Sequence, residues 1–299
     1  MAESNKRLFG IVGHPLGHSL SPILHEFILN KIHVKACYHA FEIKKEELAA
    51  TIQSMKTLGF TGFNVTIPYK ENIVSFLDEI DEEASMIGAV NTVLIKDNKL
   101  YGTNTDGVGF IQALKNKNMD MNGKSAVLLG AGGAARAVAY SLVANGIKKL
   151  WLLNRTPVRA ELLANGIVSN VGFSNISYDS LSDAYFEQAV ESSQIVINAT
   201  SLGMWPAVET TPICVENFSP GLIVVDLVYN PHETKFLKAA KSAGSKIIEG
   251  LDMLIYQGVE AMKIWTAMDI RVENFFDEIR SKLIQSLKHY GKRQNINCR

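Results

Sequence analysis

Short apolar runs alternate along the chain with stretches in which apolar positions return every three or four residues. RLFGIVG (7–13), CYHAFEI (37–43) and GFNVTIP (62–68) read as strands, and Ile23, Leu24, Phe27 and Ile28 repeat at helical spacing between the first two. Leu48, Ile52 and Met55 mark another helical face, which Gly59 can end. This strand-helix-strand order favours parallel sheet. AVNTVLIKDNKLYGTNTD departs from it, because Asp97 and Asn98 lie between two short β-prone runs and suit a tight hairpin turn. One antiparallel pair is therefore expected in an otherwise parallel sheet.

A second alternation begins near Ser125: SAVLLG, a helix from about Ala134, KLWLLNR, SQIVINAT, LIVVDLVY, a helix from Phe236 to Ala243, and KIIEG. These complete a second sheet. MLIYQGVEAMKIW and VENFFDEIRSKLIQSL then read as helices that return to the first domain, and the polar, basic HYGKRQNINCR reads as a frayed tail. The expected division is 1–106 with 251–299 for the first domain and 107–250 for the second.

Length agrees, since 299 residues suggest about two domains. Lys+Arg 30 balances Asp+Glu 30, so no global field draws the chain to nucleic acid or an anionic membrane, and anion binding must be local. The expected partner is a small molecule. Cys37, Cys214 and Cys298 form no CxxC pair, which argues against a disulfide framework or zinc and for a reducing compartment. Without a signal-like N-terminus or a run of ~18 apolar residues, the cytoplasm is the expected location. His14, His18 and His25 are close in sequence but lack acidic or cysteine partners, so no metal is expected.

In LLGAGGAARA, Gly130, Gly132 and Ala135 fit G-x-G-x-x-G/A between a strand and a helix. Glycine lets the backbone approach a pyrophosphate and the helix N-terminus offers N–H groups, although a tight turn without a ligand has the same pattern. The end of the next strand holds Asn154-Arg155-Thr156, with Arg159 a turn later, where an acid would select an unphosphorylated ribose. Arg155 offers a fork that matches phosphate oxygens, which points to NADP(H); a solvated basic loop is the plainer alternative. Asn198 to Met204 and Asp226 to Pro231 end two further strands, where ligands of open α/β sheets bind, and Tyr229 lies in the second. The first of these can equally be a satisfied turn.

A nicotinamide needs a substrate clamp and a proton carrier beside it. Asn64-Val65-Thr66-Ile67-Pro68-Tyr69-Lys70 puts polar groups at a strand end, before a helix containing Phe76 and Leu77. Lys70 in the first turn of that helix would face its positive dipole end, which favours the neutral base, while a solvated surface lysine is the default. Asp106, in Thr103-Asn104-Thr105-Asp106-Gly107, can be a plain helix cap; Asn91 can complete a turn; Ser21 before Pro22 can cap a helix, with Ser19 beside it.

GHPLGHSLSP, NVTIPYK, GAVNT, TNTDG, GAGGAAR, NRT, NATSLGM and GLDMLIYQG, in this order, resemble the shikimate dehydrogenase family to about Trp265. The resemblance implies two open α/β domains around a cleft: an N-terminal substrate domain with a mostly parallel sheet plus an antiparallel strand, and a Rossmann-like NADP-binding domain. It implies reversible, NADP-linked reduction of 3-dehydroshikimate to shikimate in aromatic amino acid biosynthesis, by a monomer or homodimer. Carried over by position, Ser19, Ser21, Asn64, Thr66, Asn91, Asp106, Tyr229 and Gln257 would hold substrate, and Lys70 with Asp106 would be catalytic. Gly130, Ala131, Gly132, Gly133, Ala134, Asn154, Arg155, Thr156, Arg159, Thr200, Leu227 and Gly250 would hold the cofactor, with Glu82 near the nicotinamide. Asp252 departs from the glycine many members carry there. Two rival readings are a dual quinate/shikimate dehydrogenase able to use NAD and a noncatalytic regulator on the same fold.

Overall fold

The computed structural model describes residues 6–214, 216 and 218–297. The chain separates into two compact units, Met1–Thr105 with Ile255–Arg299, and Asp106–Leu254.

The first unit begins β1 (Arg7–Gly13), α1 (Ser21–Lys31), β2 (Ala36–Glu42), α2 (Leu48–Thr57) and β3 (Phe60–Val65). It continues with β4 (Glu79–Ile80), α3 (Glu82–Ile87), β5 (Thr92–Lys96) and β6 (Lys99–Thr103). The sheet order is β2-β1-β3-β5-β6-β4, in which only β5 runs against its neighbours. The hairpin between β5 and β6 turns on Asp97 and Asn98 at φ 50° and 59°. Positive φ at both central residues matches the right-handed twist of the strands, and Asp and Asn tolerate it better than most side chains.

The second unit runs α4 (Asp106–Asn116), β7 (Ser125–Leu129), α5 (Gly133–Ala144), β8 (Lys149–Asn154), α6 (Pro157–Val171) and β9 (Ile176–Ser180). After these come α7 (Asp183–Glu191), β10 (Ile195–Asn198), β11 (Ile223–Asp226), α8 (Lys235–Ser242) and β12 (Lys246–Glu249). Every pairing is parallel, in the order β12-β11-β10-β7-β8-β9. Counted from β7, this is the doubly wound dinucleotide-binding order, with its switch point between β7 and β10. Burial of both faces explains why β7, β10 and β11 are wholly buried and apolar almost throughout.

α9 (Gly250–Thr266) crosses from the second unit into the first, and α10 (Phe276–Asn297) follows. Trp265 anchors α9 within the first unit by donating Nε1–H to the Val93 carbonyl at 2.9 Å. Residues 289–297, expected as a frayed tail, continue the α10 helix, because Lys, Arg and Gln propagate helix well and one glycine does not stop it. Cys37 is a free thiol, and Cys298 lies outside the described residues. Among the described residues no helix is long and apolar enough to cross a membrane.

Candidate functional site

In the second unit the buried strand β7 runs into Gly130, whose N–H donates to the Leu153 carbonyl at 2.8 Å. Its φ of 114° is one that side chains avoid, and a Cβ would lie 3.0 Å from the Ala199 carbonyl oxygen. Gly132 differs: its backbone is ordinary and a Cβ there would meet nothing within 4 Å. Among the described residues nothing within that distance requires a glycine there, whereas a ligand approaching the backbone would. α5 starts at Gly133 with no side-chain cap, so its first N–H groups have no side-chain acceptor. Ala131 is buried and Ala134 half-buried.

β8 ends at Asn154, whose amide donates to the Thr156 carbonyl at 2.9 Å and folds the loop over. Arg155, Thr156 and Arg159 are exposed, Thr156 is the uncapped N-cap of α6, and Arg155 makes no ion pair among the described residues. No acid stands at the end of β8. These groups fit a dinucleotide bearing a 2′-phosphate: open backbone for the pyrophosphate and a disengaged guanidinium.

The ends of β10 and β11 are locked together. Asn198 and Asp226 are fully buried, and the Asn198 amide donates to Asp226 Oδ1 at 2.9 Å. Thr234 Oγ1 donates to Asp226 Oδ2 at 2.5 Å, and the Val228 N–H donates to Oδ1 at 3.0 Å. Burial raises the Asp226 carboxyl to about 6 despite these donors. Thr200 gives its hydroxyl proton to Asn198 Oδ1 at 2.7 Å, so the loop is the satisfied turn considered from sequence, and the Thr200 methyl packs on Gly130. Leu227 and Tyr229 are half-buried beyond this lock, and a Cβ on Gly250 would overlap the Leu227 carbonyl. Asp252 needs no glycine conformation: it lies buried in the first turn of α9, 3.7 Å from Lys117 Nζ.

The first unit holds a buried polar network. The Asn64 amide donates to the Asn91 carbonyl and to Thr92 Oγ1, both at 3.1 Å, while its Oδ1 accepts from the Tyr38 hydroxyl at 2.7 Å. The Asn91 amide donates to Thr105 Oγ1 at 3.0 Å and Gln257 Oε1 at 3.3 Å, and the Thr105 N–H returns to Asn91 Oδ1 at 2.8 Å. Three sequence-predicted residues, Asn64, Asn91 and Gln257, thus share one array. Tyr38, Thr92 and Thr105 complete it, and none of the three is named as a site residue from sequence. Ser19 lies in the loop before α1 and Ser21 is the first residue of that helix, and the His14 N–H on the loop bonds the Ile67 carbonyl at 2.9 Å, next to Thr66. Glu82 is exposed in the first turn of α3 and makes no bond to this array among the described residues.

Two local readings are corrected. Lys70 does not open an α-helix: a five-residue 3-10 turn, Asn72–Phe76, follows it and Leu77 is extended. The reason is that the Lys70 carbonyl accepts from the Val90 N–H at 2.8 Å, so it is not available to a following helical turn. The dipole argument for a neutral Lys70 falls with the helix. Ser21 is not a cap either, since Leu20 is the N-cap of α1 and no side chain bonds there. Asp106 is buried and is itself the first residue of α4.

Two family models match the sequence: one described as shikimate dehydrogenase substrate binding domain over residues 11–93, the other as shikimate / quinate 5-dehydrogenase over 112–220. The shikimate dehydrogenase (NADP(+)) of Moorella thermoacetica is 48% identical over 270 residues, covering 90% of this chain and 91% of that protein. A crystal structure of a shikimate dehydrogenase in complex with NADP+ superposes with a TM-score of 0.86 at 39% identity, covering 96% of this chain and 98% of that one. The Thermus thermophilus shikimate 5-dehydrogenase, solved with NADP(H) and shikimate, gives a TM-score of 0.80 at 36% identity, covering 95% of this chain and 99% of that one.

Proposed function

Because the chain belongs to the shikimate dehydrogenase family and catalyses the reversible, NADP-dependent reduction of 3-dehydroshikimate to shikimate, we propose that Lys70 is its acid/base and Asp106 its acidic partner. The observation that carries this is the hydrogen bond from the Val90 N–H to the Lys70 carbonyl at 2.8 Å, which holds the Lys70 backbone against Val90, the residue before Asn91 of the buried amide array. Asn64, Asn91, Thr66 and Gln257, with Ser19 and Ser21, hold the substrate's hydroxyl and carboxylate groups, and Tyr229 is a further substrate contact. Amides and hydroxyls suit that task because they both donate and accept, and their mutual bonds keep them oriented before substrate arrives.

The Gly130–Ala134 turn takes the pyrophosphate on backbone N–H groups, and Arg155, Thr156 and Arg159 take the 2′-phosphate, with Asn154 shaping their loop. Thr200, Leu227 and Gly250 are further cofactor contacts, and Glu82 belongs to the nicotinamide end. Bound NADP(H) supplies or accepts the hydride. In the reducing direction the Lys70 ammonium gives a proton to the substrate's carbonyl oxygen; in the oxidising direction the neutral amine removes it from the hydroxyl. A free thiol at Cys37 suits a cytoplasmic setting.

Steady-state assay of Lys70→Ala tests the assignment. We expect kcat to fall by about 10²- to 10⁴-fold with a much smaller change in the KM for shikimate; near-normal turnover would remove Lys70 from the chemistry. The same assay run with quinate distinguishes a dedicated shikimate enzyme from a dual one, and shikimate should be the faster substrate.

A further inference from the structure

The loop that carries Ser19 and Ser21 is held from outside the site. Glu42, the last residue of β2, places Oε2 2.8 Å from the Leu16 N–H, and its Oε1 lies 3.3 Å from His14 Nδ1. The Leu16 carbonyl in turn accepts from the Ser19 N–H at 2.9 Å, and Ser19 Oγ accepts from the Ser21 N–H at 3.3 Å. One carboxylate therefore leads through a single backbone residue to both serines. The following residue does the same for the Lys70 loop: the Ile43 carbonyl accepts from the Tyr69 hydroxyl at 2.7 Å, while the Ile43 N–H holds the Gly13 carbonyl at 3.1 Å.

We propose that Glu42 is a positioning residue for the substrate serines, fixing the His14–Ser21 loop through its bond to the Leu16 N–H. This rests on the reading that Ser19 and Ser21 bind substrate. Electrostatics alone argues the opposite: shikimate is a carboxylate, and a nearby anionic Glu42 repels it, so removing the charge should tighten binding. A carboxylate kept near an anion site has to contribute something larger, and the link to the serine loop supplies it. The two effects differ in sign, which makes them separable.

The test is steady-state kinetics of the full-length enzyme with Glu42→Ala, Glu42→Gln, Ser19→Ala and the double variant Glu42→Ala/Ser19→Ala. Glu42→Ala is expected to raise the KM for shikimate about 10-fold while leaving the KM for NADP+ within about 2-fold. Glu42→Gln keeps an acceptor for the Leu16 N–H and should recover most of that loss. In the Ser19→Ala background Glu42→Ala should add little, because it acts through the same hydroxyl. A lowered or unchanged KM in Glu42→Ala, equal losses for both substrates, or additive effects in the double variant overturns the proposal. If Glu42→Ala is poorly folded by circular dichroism, Glu42→Asp, whose shorter side chain draws the acceptor back from the Leu16 N–H, takes its place: a raised KM for shikimate with an unchanged KM for NADP+ supports the proposal, and an unchanged KM for shikimate overturns it. Failure of the underlying reading shows separately, as a Ser19→Ala/Ser21→Ala variant with an unchanged KM for shikimate.

Discussion

In the proposed function, cofactor choice rests on one side chain, Arg155. Its guanidinium is exposed, lacks an ion-pair partner among the described residues, and stands where an acid would otherwise bind a ribose hydroxyl. Arg155→Asp replaces a fork that matches phosphate with a charge that repels it. Binding of NADPH, followed by fluorescence titration at fixed ionic strength, should weaken by about 100-fold while NADH changes by less than about 5-fold. Equal losses for the two would show that the loop does not read the phosphate. Arg155 can be named as a candidate from sequence because its candidacy depends only on its place after a strand, and the structure puts it there, exposed. Lys70 was legible as a candidate for a reason that failed: the dipole argument needed an α-helix, and a long-range bond to Val90 displaced it. Glu42 gave no signal, since its partner Leu16 lies 26 residues away and only the parallel pairing of β1 and β2 brings the two segments together.

At the scale of elements, the ends of β10 and β11 are joined by the Asp226 side chain as well as by their ladder bonds. Burial raises Asp226 from an ordinary 3.8 to about 6, so the folded chain takes up a proton between those values that the unfolded chain does not. The stabilisation is present in acid and is lost as pH rises toward 6, by ~3 kcal/mol for a shift of this size. Asp226→Asn keeps the shape and can donate to Thr234 Oγ1 while accepting from Asn198 and Val228. Urea unfolding of both proteins should show the wild type losing about that amount relative to Asp226→Asn between pH 4 and pH 7; parallel stability curves would mean the carboxylate is not strained by burial. Elements with period and turn chemistry were readable in advance: the Asp97-Asn98 hairpin follows from residues that accept positive φ, and the β7 turn from its glycines. Strands β4 and β9 were not, because the first has only two residues and the second, ISYDS, is a half-exposed edge strand with little apolar pattern.

For the molecule as a whole, the two units answer acid with opposite signs. In the first, His25 is fully buried, stacked on Tyr38 with ring centroids 4.2 Å apart, and burial lowers it to about 3, with the Asn64 side chain opposing. A histidine held neutral stabilises the fold above its ordinary 6.5, and that contribution is lost as pH falls from there toward 3. Between pH 7 and pH 5 this removes ~2 kcal/mol from the first unit, whereas Asp226 adds ~1 to 2 kcal/mol to the second over the same interval. A single thermal melt would register little of either, since the terms offset. Hydrogen exchange resolves them by segment: after correction for intrinsic exchange, amides of β1 and β3 should lose protection from pH 7 to pH 5 while those of β7 and β10 hold or gain. His25→Phe keeps the ring stack without the titrating nitrogens and should flatten the response of β1 and β3 alone. Uniform loss across both sheets, or an unaltered response in His25→Phe, would show that acid acts on the chain as one cooperative body and that neither buried group governs its unit.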